Sequence, residues 1–231
     1  EENQLAHTTS WGLSWRAIGA LIMTHSDDQG LVLPPAIAPE QIVIVPIWKS
    51  DKREEVMGYA REIQKALSEF RVELDDRDEK NPGFKFNEWE LKGVPIRIEI
   101  GPKEVENRTI TLVHRPDGER HLIEIEGVED AMRSHLEKIY EKLYQRALDS
   151  LQENIHEVSN EIELVDKLTS QGGYAKTPWC GEEGCEETVK EKIAASIVMI
   201  PPETEGKVQK GDLCSVCGSD AKEIVYFAKK Y

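Results

Sequence analysis

Between residues 84 and 102 the chain changes its hydrophobic period twice. FKFNEWELK places apolar side chains at helical intervals, Gly93-Val94-Pro95 breaks that pattern, and Ile96-Arg97-Ile98-Glu99-Ile100 alternates before Gly101-Pro102 closes it. The alternation predicts a strand that buries Ile96, Ile98 and Ile100 and turns Arg97 and Glu99 to an opposite, polar face.

The rest of the middle region follows in the same way. Residues 42–47 (IVIVPI) form a continuous apolar run, as in a strand buried on both faces. Helical spacing over 51–70 brings Val56, Tyr59, Ile63, Leu67 and Phe70 onto one face. A strand over 70–74, a helix over 81–92, a strand over 94–100, a hairpin joining 109–113 to 121–125 and a long helix over 128–154 complete it. Strands and helices alternating at these lengths predict an α/β fold with a mixed, partly parallel sheet. Beyond it, helices over 160–171 and 187–195 and strands over 196–200 and 223–228 predict a smaller α+β unit. At the N-terminus a strand over 7–13, a helix from about 15 to 25 capped by Ser14 and a strand over 31–33 are expected. About 38 residues of that kind cannot enclose a core, and Trp11, Ile18 and Leu21 would lie uncovered, so this segment reads as the edge of a larger domain.

Charge narrows the partners. The chain of 231 residues carries a net charge of −15, which argues against a general polyanion binder and against an anionic membrane surface. The charge is uneven: residues 77–120 hold nine Lys/Arg and nine Asp/Glu, so nucleic acid, if bound, is expected there. No apolar run approaches the ~20 residues that span a bilayer. The four cysteines fall in two short pairs, C-x4-C and C-x2-C, with 28 residues between. Such pairs let Cys180, Cys185, Cys214 and Cys217 converge as the four thiolates of a closed, structural Zn2+ site; two disulfides are the competing reading. This usage points to a cytoplasmic protein.

The polar residues Lys85, Glu90, Arg97, Lys103 and Arg120 are expected at the surface. They form either an ordinary solvated rim or a base-reading surface, with Glu90 accepting from a guanine edge and Arg97 donating to O6 and N7. Spacing does not decide between the two.

Resemblance does. SWGLSWRAIGALI (residues 10–22) resembles motif 3 of the class II aminoacyl-tRNA synthetases, and the run on to Pro35 is similar to the prolyl-tRNA synthetase family. FKFNEWELKGVPIRIEIGPKEV resembles the anticodon-binding domain of the archaeal and eukaryotic type of that family, and the cysteine pairs and terminal tyrosine resemble its C-terminal zinc domain. The resemblance implies that Arg16 clamps ATP and stabilises charge on its α-phosphate, and that Trp11 and Gly12 line the substrate pocket. Thr9, Ser10 and Ser14 would join them at the substrates, with the Tyr231 carboxylate reaching toward the active site. Glu90, Arg97, Lys103 and Arg120 would face the guanines of the anticodon. Trp15 departs from the threonine common before the motif 3 arginine, and motifs 1 and 2 have no counterpart in the chain.

The resemblance thus implies three parts: residues 1–38 as an edge of the class II catalytic domain, 39–150 as an α/β anticodon-binding domain, and 151–231 as a small α+β zinc-binding domain. The parent activity is ATP-dependent activation of proline, with Mg2+ on the triphosphate, and transfer to tRNA(Pro) by a homodimer. This chain alone is expected to be inactive. A stand-alone anticodon-binding module is the alternative.

Overall fold

Every residue of β1 (Ile42–Pro46) is buried, and a five-stranded sheet is built around it. The computed structural model describes residues 8–48, 51–202 and 207–229, in two units, Glu1–Ala147 and Leu148–Tyr231. In the first, β1 lies between β2 (Val72–Leu74) and β3 (Ile96–Ile100), parallel to both. β4 (Thr109–His114) and β5 (Arg120–Glu124) follow antiparallel, giving the order β2-β1-β3-β4-β5. The sheet is mixed, as expected.

Period-2 geometry divides its side chains between two helical layers. On one face Ile42, Ile44, Ile96, Ile98 and Leu112 pack against α2 (Arg53–Ala66) and α5 (Val128–Glu153), through Val56 and Ile63 of the first and Met132 and Leu136 of the second. On the other, Val43, Val45 and Val94 pack against Trp89 of α3 (Pro82–Leu91), with Phe86 beside them. β1 is therefore covered on both sides, which is why its residues 42–45 are unbroken Ile/Val. Asn81 caps α3 by accepting from the Phe84 N–H at 2.8 Å.

Several expectations change. Residues 8–13 form no strand, and Trp11 and Leu13 are exposed; a strand needs a hydrogen-bonded neighbour, and none of the described strands lies beside them. Ser14 Oγ reaches only the Arg16 N–H, at 3.4 Å, before α1 (Arg16–His25), which buries no residue. Residues 31–33 likewise form no strand, because they seat against the end of α3: the Leu31 N–H donates to the Leu91 carbonyl at 3.0 Å and Val32 joins the core. Gly30 and Gly93, both at positive φ, permit this approach, since a Cβ on either would lie within 2.6 Å of backbone atoms. Lys85 and Glu99, expected at the surface, are buried, for reasons given below. A helix absent from the sequence reading, α4 (Pro102–Asn107), follows β3; Pro102 opens it and Glu104 Oε2 accepts from the Gly101 N–H at 2.9 Å.

The second unit is a four-stranded sheet of order β6-β7-β9-β8, formed by β6 (Ile155–Glu157), β7 (Tyr174–Trp179), β8 (Ala195–Met199) and β9 (Glu223–Lys229). α6 (Glu161–Ser170) and α7 (Glu183–Ile193) pack on it through Leu164, Leu168 and Val189, against Ala175, Val225 and Phe227. β6 and β7 were not legible in sequence, β6 being three residues long and β7 carrying Lys176 and Pro178. α7 begins four residues earlier than expected and so includes Cys185. Among the described residues no helix is long and apolar enough to cross a membrane.

Candidate nucleic-acid interface and metal centre

Strand register places Arg97 and Arg120 on one cross-strand row. Val43 stands opposite Arg97, Arg97 opposite Val113 and Val113 opposite Arg120. Strands lie ~4.8 Å apart, so the two arginines start roughly 10 Å from each other, a gap their long side chains can close. Glu99 closes it: two residues along β3 from Arg97 and on the same face, its Oε1 accepts from Arg97 Nε at 3.1 Å and from Arg120 Nη1 at 3.3 Å. The Arg97 guanidinium also lies 4.3 Å from the centre of the Phe86 ring. The expected polar face exists, but α3 roofs it and Glu99 is only 7% exposed. Glu99 is the residue that sequence reasoning missed. Its period-2 relation to Arg97 was visible, whereas its pairing to Arg120 needed the register of three strands.

The end of α3 supplies the facing wall. Gly93, in the left-handed conformation, donates to the Glu90 carbonyl at 3.0 Å, and Arg115 Nε donates to the same oxygen at 2.9 Å. Arg115 also makes a bidentate pair with Asp27, Nη1 to Oδ2 at 2.9 Å and Nη2 to Oδ1 at 2.7 Å, and this guanidinium holds the Asp27 carboxyl below its usual range. Glu90 is thereby fixed in the last turn, while its own carboxylate has no hydrogen bond or ion pair among the described residues. A helix C-terminus disfavours negative charge, so this carboxylate sits where folding alone gives no reason to keep it.

Deeper in the layer, buried Asp75 anchors α3 from β2. Its carboxylate accepts from Arg77 Nε at 2.8 Å and Trp89 Nε1 at 2.8 Å, with Lys85 Nζ at 3.5 Å; Lys85 also donates to the Asp75 carbonyl at 2.9 Å. Burial pushes the Asp75 carboxyl up, and the hydrogen bonds from Arg77 and Trp89 and the Lys85 charge more than offset it, leaving the carboxyl well below the carboxylate range. Lys85 is thus a core ion pair and not a surface contact.

Glu90, Arg97 and Arg120 line one cleft of about 140 Å³ with Trp89, Val113 and Arg115. That is small beside the roughly 300–1,000 Å³ of drug-sized sites and suits a single planar group. One wall offers an unpaired acceptor and the other two guanidiniums. Lys103 does not line it; it is exposed in the first turn of α4. Of the other residues expected at substrates, Thr9, Ser10, Trp11, Gly12 and Ser14 lie on the exposed segment before α1, and exposed Arg16 opens that helix. Tyr231 lies outside the described residues.

In the second unit the four cysteines converge. All four Sγ atoms lie within 4.8 Å of one another, with Cys180 3.6 Å from Cys185 and 3.7 Å from Cys217. A tetrahedral ion with Zn–S near 2.3 Å puts its sulfurs about 3.8 Å apart, so the donor set fits such an ion with little movement. Cys180 sits just before a Gly181 turn at positive φ, and Cys214 and Cys217 on a tight turn closed by the Gly218 N–H donating to the Cys214 carbonyl at 2.9 Å. Burial raises the Cys185 thiol, whereas the Ser219 hydroxyl and N–H lower that of Cys217 to about 6. Four thiols this close would all ionise only with a cation between them, so the cluster could hold a metal ion.

These two sites coincide with two known families. Residues 41–135 match the family described as "Anticodon binding domain" and residues 162–231 the family described as "Prolyl-tRNA synthetase, C-terminal". The chain is 59% identical to a proline–tRNA ligase of Natronomonas pharaonis over 100% of its own length and 48% of that protein, and 54% identical to the Haloarcula marismortui ligase at the same coverage. It superposes on a crystal structure of Cryptosporidium parvum prolyl-tRNA synthetase complexed with L-proline and AMP at a TM-score of 0.89 and 35% identity, covering 94% of this chain and 46% of that one. The chain therefore spans about half the length of the relatives it matches. On these matches, across both units, it belongs to the prolyl-tRNA synthetase family and carries that family's anticodon-binding and C-terminal regions.

Proposed function

We propose that the cleft of Glu90, Arg97 and Arg120 reads a guanine of the tRNA(Pro) anticodon, within a proline–tRNA ligase to which this chain contributes. The unpaired Glu90 carboxylate facing two guanidiniums carries the reading. A guanine edge offers N–H donors that Glu90 can accept and O6 and N7 acceptors for an arginine fork. Glu99 keeps Arg97 and Arg120 aimed at the cleft until the base competes for them, and Lys103 on α4 serves the adjoining RNA backbone. The locally neutral segment 77–120 lets an acidic chain approach RNA there without the repulsion of its −15 charge.

In the same reading residues 1–38 belong to the class II catalytic domain, 39–150 form the anticodon-binding domain and 151–231 the zinc domain. Arg16 acts on ATP·Mg2+, and Thr9, Ser10, Trp11, Gly12 and Ser14 line the proline and nucleotide pocket. The ligase works in the cytoplasm as a homodimer. Activation needs no nucleophilic side chain, since the proline carboxylate and the tRNA 3′ hydroxyl attack, and the protein positions them and stabilises charge.

Each bidentate base contact contributes ~1–3 kcal/mol, so Glu90→Ala and Arg97→Ala are each expected to weaken tRNA(Pro) binding about 5- to 150-fold. Filter binding at fixed salt measures this, and unchanged affinity in either variant removes that residue from the interface. Proline-dependent pyrophosphate exchange is expected to be absent for residues 1–231 alone, which span 48% of the ligase relative; measurable exchange would show that this chain holds a complete catalytic centre.

A further inference from the structure

Where the first sheet packs against α5, three histidines meet, one of which, His114, also borders the cleft. His114 ends β4 opposite Ile96, His121 stands on β5 opposite Leu112, and His135 is buried on α5. We propose that His114, His121 and His135, with Glu119 as fourth ligand, form a second transition-metal site that takes a borderline divalent ion of the zinc and cobalt class.

The geometry carries the proposal. One ligand nitrogen from each histidine lies within 4.8 Å of the others, and His114 Nε2 and His135 Nδ1 share a hydrogen bond at 2.9 Å, whose proton a bound ion would displace. Imidazole–metal distances of about 2.0–2.1 Å in a tetrahedral shell set ligand nitrogens roughly 3.3 Å apart. The close contact need open by only a few tenths of an ångström, and the widest need close by about 1.5 Å, within the reach of side-chain rotation. Glu119 Oε2 lies 3.6 Å from His121 Nε2, ready to complete the shell.

A second observation separates a ligand site from three packed rings. The ring centroids lie 4.7–4.9 Å apart, as packing alone would give, but His121 Nε2 is buried with no group within hydrogen-bond distance, the Glu119 carboxylate standing off at 3.6 Å. An orphaned buried nitrogen is destabilising, and an ion among the three rings would engage it. Charge is compatible: Asp117 and Glu119 supply two carboxylates, Lys142 pairs with both, and Lys138 on α5 faces His135. His121 is part-exposed and Glu119 exposed, which gives an ion its entry path. Three imidazoles with a carboxylate favour zinc, cobalt, nickel or copper over magnesium or calcium. The turn between His114 and His121 carries Arg115, Gly118 and Arg120, so a bound ion would also fix the hairpin that lines the cleft. The site itself does not depend on what the cleft binds.

The test uses the full chain, stripped of metal, reloaded with Zn2+ and gel-filtered, with zinc per chain read by atomic absorption. Two equivalents are expected, one at the cysteines and one at the histidines, and His121→Ala, a partly exposed edge-strand position, is expected to hold one. A wild-type stoichiometry of one, or two equivalents retained in His121→Ala, overturns the site. Electron paramagnetic resonance of wild-type chain with Cu2+ gives a readout independent of any variant. Hyperfine splitting from several imidazole nitrogens supports the assignment, and a spectrum with none refutes it.

Discussion

Replacing Cys214 with serine is expected to release the zinc we place at the four cysteines and to melt much of the second unit. Structural zinc contributes apparent free energies of about 10–16 kcal/mol in small peptide domains, comparable to or above the ~5–15 kcal/mol that keeps a whole domain folded. The unit also has its own core of Leu164, Leu168, Val189, Val225 and Phe227, so the loss should grade outward from the metal. The turn at Cys214–Cys217 and the start of α7 should go first, then β9, which pairs with β7 from Trp179 onward. Amide hydrogen exchange reads this directly: protection at Val225 and Phe227 should fall sharply in Cys214→Ser and in metal-stripped wild type. Protection unchanged under a strong chelator would mean that the cysteines hold no structural ion. Serine keeps the size but not the soft, ionisable sulfur, so the variant isolates ligation from packing.

The second large effect is expected at Asp75. Its removal would leave Lys85, 2% exposed, and Arg77 without their shared carboxylate and would strand the Trp89 N–H. Breaking a buried pair from one side typically destabilises by about 3–5 kcal/mol, which at ~2–4 °C per kcal/mol for a chain of this size lowers the melting temperature by roughly 6–20 °C. Asp75→Ala tested by thermal melting checks it, and a shift below about 2 °C would show that the network is not stabilising. Removing both charges with Asp75→Asn and Lys85→Met should recover part of the loss, because no uncompensated buried charge remains. The pH dependence has a definite sign. The folded carboxyl is held below its unfolded value, so the contribution is fully present above the unfolded pKa, near 4, and is lost as pH falls through the depressed folded value. Wild type should therefore lose stability below about pH 4 that Asp75→Ala has already lost. Trp89 precedes Glu90, so the variant should also loosen the wall of the cleft.

Both effects depend on residues the sequence singled out unequally. The cysteines announced themselves, because short paired spacings carry their geometry with them. Asp75 did not. It reads as the first residue of a turn, and its role requires Trp89 and Lys85 to arrive fourteen and ten residues later on a helix that lies over it. The elements themselves were legible wherever one period held for several residues, as in β1, α2, α3, β3, the hairpin and α5. The strands at 8–13 and 31–33 were misread because apolar content without a pairing edge does not make a strand. β6 and β7 were missed because short or polar strands leave no period to find.

The sequence by itself determined the elements that hold one period over several residues, the mixed sheet, the two short cysteine pairs and the family, since periodicity, turn chemistry and motif spacing are properties of neighbouring residues. Tertiary structure alone decided which charges are free. It put Glu99 between Arg97 and Arg120, locked Arg115 onto Asp27 from 88 residues away, buried Lys85 on Asp75, left Glu90 unpaired, and drew His114, His121 and His135 together. Whether a charge is paired, buried or available depends on strand register and on what covers each face, and both are set by contacts between residues distant in the chain.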